Sequence, residues 1–436
     1  MKLISQLIMA LLFSANLAAQ QDSSYLAIVG GDIHTVSDGV IMKGVVLCKD
    51  SRILKVGKRV RIPDGAEIID AKGMQVYPGL IATEAYGVIN GRGVDIADSY
   101  DPYKLNLDLA LAGGITVLQN GGMVAKLKHG TIDNVLVGPT NWVNLNYSST
   151  SPAGRRRVRD EFSKVRDYMR LHRNWKLTDS MGEDAGDEPE AKDIKSEYLS
   201  LLKGEATARI SANTLKDLLA TCELLEEYPM QSVIFGGQEA WACAGRLGRV
   251  NARLIIVPRN KKWASDDLNR PSGWTIENAK LLWDHGVKFA ILPGENSISL
   301  MGLAGRDLMT LPMEAAFAIR GGLPQDAALR SITIDAAEIL GVDHRMGSIE
   351  VGKDANIIIC DGDLFHYRSF VQWAVVDGEL MYDKQKASYF AHIRPRAEDE
   401  VVEAVEEIEE TEETEEVIDE NQEVTNIDAP EVVDNP

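Results

Sequence analysis

The chain has 436 residues, 45% of them hydrophobic and 26% charged, which is ordinary globular composition and enough for one large domain with a smaller companion. Its net charge of −20 sits at one end: residues 397–436 hold 18 Asp and Glu and no Lys or Arg, leaving 46 basic against 48 acidic side chains on the rest. A nearly neutral body carries no footprint for nucleic acid, and Cys48, Cys222, Cys243 and Cys360 lack the C-x-x-C spacing of a zinc or redox site.

Taken in chain order, Lys2, the apolar run Leu3–Leu17 and the small pair Ala18-Ala19 before Gln20-Gln21-Asp22 read as a secretory signal peptide over residues 1–19. The expectation is an exported protein, periplasmic or secreted, with no membrane span after cleavage. Residues 24–75 alternate short β-rich runs (Tyr25–Val29, Val45–Cys48, Ile53–Val56, Glu67–Ile69) with Gly and Asp turns. The apolar run Met74–Ile81, broken by Pro78-Gly79, reads as the strand that leads into a second module. From residue 76 to 345 strands and helices alternate, the pattern of a parallel barrel. Strands are expected at Ile115–Leu118, Thr207–Ile210, Ser232–Phe235, Arg253–Val257 and Val287–Leu292. A helix is expected through Leu215, Leu218, Leu219, Cys222 and Leu225, whose spacing gives one apolar face, and another from Pro324. Residues 152–196, with Arg155-Arg156-Arg157, then a helical stretch, then the acid- and Gly-rich 179–190, read as a partly mobile rim insertion. Strand and turn patterning returns over 346–390, so the two ends together suggest one composite β-sandwich. The acidic run 397–436 repels itself and is expected to be disordered.

Three segments carry a resemblance. Gly65–Gly73, Val76–Tyr86 and the stretch from Ala337-Glu338-Ile339-Leu340-Gly341-Val342 through Met346–Ile359 resemble, in order and spacing, motifs of the amidohydrolase superfamily, in particular its imidazolonepropionase-like members. The resemblance covers residues 25–390, poorly over 140–195. It implies a TIM-like (β/α)8 barrel with a composite β-sandwich formed by both chain ends. It also implies a metal-dependent hydrolase of non-peptide C–N bonds, whose metal-bound water attacks a polarised carbonyl or imine.

The ligand positions of that family hold other residues here. Where the first barrel strand would end in H-x-H stand Glu84 and Tyr86, and "R-I-H-A-H" is matched with Ser211 and Asn213 in the histidine places. Gly236 replaces the histidine of the next strand end, with Glu239 close behind, and Asn296, following Glu295, replaces the aspartate that serves as ligand and general base. An amide accepts no proton at neutral pH. None of the seven histidines forms an H-x-H or H-x-x-x-H pair, and only His129 follows a strand region closely enough to approach the site.

The reading is therefore a family scaffold that has lost metal-dependent catalysis and acts as a pseudoenzyme, with no confident catalytic residue and no cofactor. Glu84, Tyr86, Ser211, Asn213, Gly236 and Glu239 form the pocket candidates, either binding a small polar ligand or hydrogen-bonding one another to fill a former metal cavity. A homo-oligomer or a related amidohydrolase subunit is the partner the family suggests. The alternative is an active hydrolase of cyclic amides, in which Glu84, Glu239 and Glu295 hold one divalent metal ion, with Lys126 where some relatives place a bridging lysine.

Overall fold

The computed structural model of the chain describes residues 24–89, 96–260, 268–299, 305–387 and 389–390; the expected signal peptide and acidic tail lie outside them. The N-terminal strands are β1 (Tyr25–Val29), β2 (Asp32–His34), β3 (Val40–Ile41), β4 (Val45–Lys49), β5 (Arg52–Gly57), β6 (Glu67–Asp70) and β7 (Gln75–Pro78). The middle of the chain supplies β8 (Leu80–Ala82), α1 (Leu105–Ala112), β9 (Ile115–Asn120), β10 (Met123–Lys126), β11 (Leu136–Pro139), β12 (Trp142–Leu145), α2 (Pro152–Ser180) and α3 (Ser196–Lys203). It continues with β13 (Thr207–Ala212), α4 (Leu215–Glu227), β14 (Ser232–Gly236), β15 (Arg253–Ile256), α5 (Asn278–Asp284), β16 (Phe289–Ile291), α6 (Leu311–Arg320), α7 (Gln325–Ser331) and α8 (Ile334–Leu340). The last strands are β17 (Ile357–Cys360), β18 (Val371–Val376) and β19 (Glu379–Asp383).

Four sheets result. One has the order β5-β4-β1-β6; a six-stranded sheet, β19-β18-β17-β7-β2-β3, joins strands from both ends of the chain. Within it Tyr77 lies opposite Ile358, antiparallel, and Val76 pairs in parallel with Ile33. Leu26, Ile28, Val46 and Ile53 of the first sheet pack with Ile33, Val76, Ile357 and Val375 of the second in one buried cluster. Alternate residues of each strand face that core, and the β-rich runs and turns at both chain ends mark those strands.

Seven strands of the middle run parallel with their neighbours, in two arcs: β8-β9, extended by the antiparallel β10 and β11, and β12-β13-β14-β15-β16. Each expected strand of this region is present, and helices follow most of them. The chain leaves the six-stranded sheet at Pro78 and enters the first arc at Leu80. Gly79 between them is sterically required, because a Cβ there would lie 2.1 Å from Thr116 Oγ1.

Two regions differ in detail from the expectation. In the segment read as a rim insertion the expected helical stretch is α2, 29 residues long with Pro152 in its first turn, and it is docked rather than free. Its first half buries Val158, Phe162 and Val165 against α3 and α4, with the Phe162 ring 5.1 Å from Tyr228 and 4.9 Å from Tyr198. The other is the second helix expected from Pro324, which spans α7, with Pro324 just ahead of it in extended backbone. Among the described residues, no helix is long and apolar enough to cross a membrane.

Candidate functional site at the strand ends

In parallel α/β sheets the reactive residues sit beyond the C-terminal ends of the strands. At that end of β8 the chain places Glu84, buried, and Tyr86, about half exposed. Tyr86 donates its hydroxyl to Glu84 Oε1 at 3.0 Å, and its backbone N–H donates to the Asn296 carbonyl at 2.8 Å. The Asn296 side chain turns its Nδ2 to the same Glu84 Oε1, at 3.4 Å. Burial, and next the Glu84 charge, push the Tyr86 phenol above its ordinary value, so it acts as a neutral donor.

The other Glu84 oxygen is held by Arg209 of β13, whose Nη2 lies 2.6 Å from Oε2. Arg209 Nη1 reaches Asn144 Oδ1 at 3.4 Å, and the guanidinium sits 5.1 Å from the Phe235 ring centroid and 5.8 Å from that of Trp142. Ring faces and a carboxylate around one cation form a self-neutralising arrangement. Arg209 stands at the R of the R-I-H-A-H match but is not among the candidate residues, because the family's chemistry points to the histidine positions that follow it. The signal was present: in Thr207–Ala212 the residues Ala208, Ile210 and Ala212 are buried, so Arg209 shares the opposite face with Ser211.

The remaining candidates are distributed rather than convergent. Ser211 and Asn213 are exposed, and Ser211 sits beside Phe235 in register. Asn213 lies against Gly236, where a Cβ would come within 2.1 Å of Asn213 Oδ1 and the backbone φ is +110°. Glu239 is almost wholly buried and turned to structural use. Its carboxylate accepts from Leu215 N (2.8 Å) and Gly273 N (2.9 Å) and pairs with Arg270 at 3.0 Å. Burial works to raise its pKa, but those donors outweigh it and hold the carboxyl below its ordinary value. Glu295 is exposed, its backbone N–H bound to the Arg306 carbonyl at 2.9 Å.

Two further sequence suggestions are corrected by position. Lys126 is buried away from this site, paired with Asp354 at 2.8 Å and with Asp377. His129 pairs with Asp108 at 2.7 Å on the exposed side of α1.

A divalent ion does not fit this set of residues. Both oxygens of Glu84 are already taken, one by a cation, and Asn296 presents an amide N–H where a ligand oxygen is needed. Among the described residues no three His, Cys, Asp or Glu side chains group closely enough to hold a metal.

An α/β protein with parallel arcs, a composite sandwich and a polar cluster at the strand ends is the class this geometry defines. Residues 258–404 match the Amidohydrolase family. The amidohydrolase tasK of Hapsidospora irregularis is 23% identical over 428 residues, covering 82% of this chain but 42% of that protein, so the chain spans less than half the length of that relative. Among solved structures, an amidohydrolase from Thermotoga maritima aligns with TM-score 0.63 and 23% identity, over 82% of this chain and all of that one. An uncharacterized protein aligns with TM-score 0.51 and 16% identity, over 83% of this chain and all of its own. The family match covers residues 258–404, and it is over that stretch that the chain belongs to the amidohydrolase superfamily.

Proposed function

We propose that this protein is an exported member of the superfamily that has given up metal-dependent hydrolysis and keeps the strand-end cluster as a polar binding surface. The observation that carries the reading is the Glu84–Arg209 pair, in which a guanidinium fixed by the chain neutralises the carboxylate at the first ligand position. The export part rests on the signal-peptide pattern of residues 1–22. We read the two parallel arcs as parts of one (β/α)8-type barrel. Single backbone hydrogen bonds across both seams support this: Tyr86 N to Asn296 O at 2.8 Å and Thr140 N to Gly122 O at 2.7 Å.

A second reading, hydrolysis of cyclic amides through a carboxylate site, is favoured by one observation: Glu295 is exposed and has no side-chain partner among the described residues. Elemental analysis separates the two. The protein, purified without chelating resin, is measured before and after incubation with Zn²⁺ and Mn²⁺. Below about a tenth of an equivalent in both is the expected result, because site affinity requires several converging ligands. One or two equivalents, abolished by Glu84→Ala or Glu295→Ala, would overturn the first reading and support the second.

A further inference from the structure

A cavity of about 820 Å³ lies at the other end of β16, between the six-stranded sheet and the helices. Lys288, the residue before β16, lines it, whereas Asn296 of the strand-end cluster follows the opposite end of that strand. Its volume falls within the roughly 300–1,000 Å³ of small-molecule sites, and most of its lining is apolar. The walls are aromatic. His34 and Tyr77 stack with centroids 4.3 Å apart, and Trp283 and Phe365 complete them.

His34 Nε2 and one lone pair of the Tyr77 hydroxyl are bonded elsewhere. His34 Nε2 bonds Gln75 Oε1 at 2.7 Å, and the Tyr77 hydroxyl accepts from Leu364 N at 3.3 Å. Three lining groups keep donors to spare: Arg330, Trp283 and Lys288, whose ammonium gives one of its three N–H groups to Glu338. The Arg330 guanidinium has five N–H donors and gives one to Asp335 Oδ1 at 2.8 Å; the Trp283 indole N–H has no partner among the described residues. Asp326, one turn before Arg330 on α7, is an exposed lining carboxylate that pairs with no described residue. The wall also contains strain: Val36, a β-branched residue, holds φ at +73° in the turn closed by Thr35 and Gly39. Strained positions cluster at ligand clamps.

We infer that this cavity binds a small aromatic carboxylate, the ring among His34, Tyr77, Trp283 and Phe365 and the carboxylate on Arg330. Such a ligand comes either as a plain acid or as an α-amino acid, whose ammonium would meet Asp326. The site is independent of the strand-end cluster, so it stands or falls apart from the proposed function.

Calorimetric titration of the full chain with 3-phenylpropanoate, phenylalanine, 3-phenylpropanamide and phenethylamine tests it. The acid is expected to bind at least about tenfold tighter than the amide or the amine, as the loss of a charge-assisted bond implies. Phenylalanine tighter than the acid identifies the amino acid as the natural class; phenylalanine weaker identifies the plain acid. Arg330→Gln is expected to weaken the acid about tenfold. Val40→Trp, at a half-exposed lining position that tolerates bulk, is expected to abolish binding by filling the cavity, and Arg209→Met to leave it unchanged. No binding by either carboxylate, equal binding of acid and amide, or binding untouched by Val40→Trp would overturn the inference.

Discussion

Glu84 and Arg209 are each explicable only by the other. A carboxylate taken out of water must be paired, and here one partly exposed guanidinium, a phenol and an amide divide its two oxygens. Removing one member leaves the other's charge stranded. Arg209→Met is expected to destabilise the protein by about 2–3 kcal/mol, less than the roughly 3–5 kcal/mol for a fully buried pair because the guanidinium keeps some solvent. The double variant Glu84→Gln/Arg209→Met is expected to recover part of that loss, read as coupling in a urea-denaturation cycle; additive effects would show that the pair contributes nothing. The same geometry bears on rebuilding a metal site. Histidine at Gly236 meets a backbone φ of +110° and the Asn213 side chain 2.1 Å from its Cβ, so placing a histidine there requires Asn213 to be replaced as well.

At the scale of elements, the turn after β13 shows how a candidate pocket residue became a structural one. Thr214 caps α4 by accepting from Asp217 N at 3.2 Å, and Glu239 binds the first N–H donor of the helix, from Leu215, while holding Gly273 and Arg270. A carboxyl depressed in the folded state stabilises it above the unfolded pKa, and that contribution is lost as pH falls through the lower folded value. Stability should therefore decline as pH drops below about 4.5, the ordinary value for this group. In Glu239→Gln that part of the acid limb should flatten, measured by thermal unfolding across pH 6 to 3, a span of roughly three units around the titration. An unchanged acid limb would remove Glu239 from the explanation. Elements themselves were readable from β-rich runs bounded by turn residues and from burial at three-and-four spacing in α4, whose buried set includes Leu218, Cys222 and Leu225. The packing of α2 was not, because its sequence is dominated by charge and only Val158, Phe162 and Val165 mark the docked half.

Across the whole molecule, the sandwich and the first arc are joined by a buried charge cluster. Lys126, 2% exposed, reaches Asp354 and Asp377, and Arg52 and Arg345 add contacts to Asp354 at 2.7 and 2.9 Å. Lys126→Met would leave Asp377 with only Lys128, 3.8 Å away, and is expected to cost about 3–5 kcal/mol. Because the cluster spans both modules, far-UV circular dichroism and tryptophan fluorescence should report coincident urea transitions in the native chain. Lys126→Met should lower the midpoint of both; a shift confined to one would show that the modules unfold separately.

The sequence by itself determined where the strands and most helices fall, the break at Pro78-Gly79, the strand patterning at both chain ends and the absence of histidine from the five positions where the family resemblance implies one. These are local properties, set by side-chain period, turn chemistry and residue identity. Tertiary structure alone decided that Arg209 meets Glu84, that Glu239 serves a loop, and that Lys126 pairs with an aspartate 251 positions away. It also decided that aromatic rings from distant segments line one half-open cavity. Charge pairing and enclosure depend on strand register and on which distant surfaces meet, and neither leaves a periodic trace in the chain.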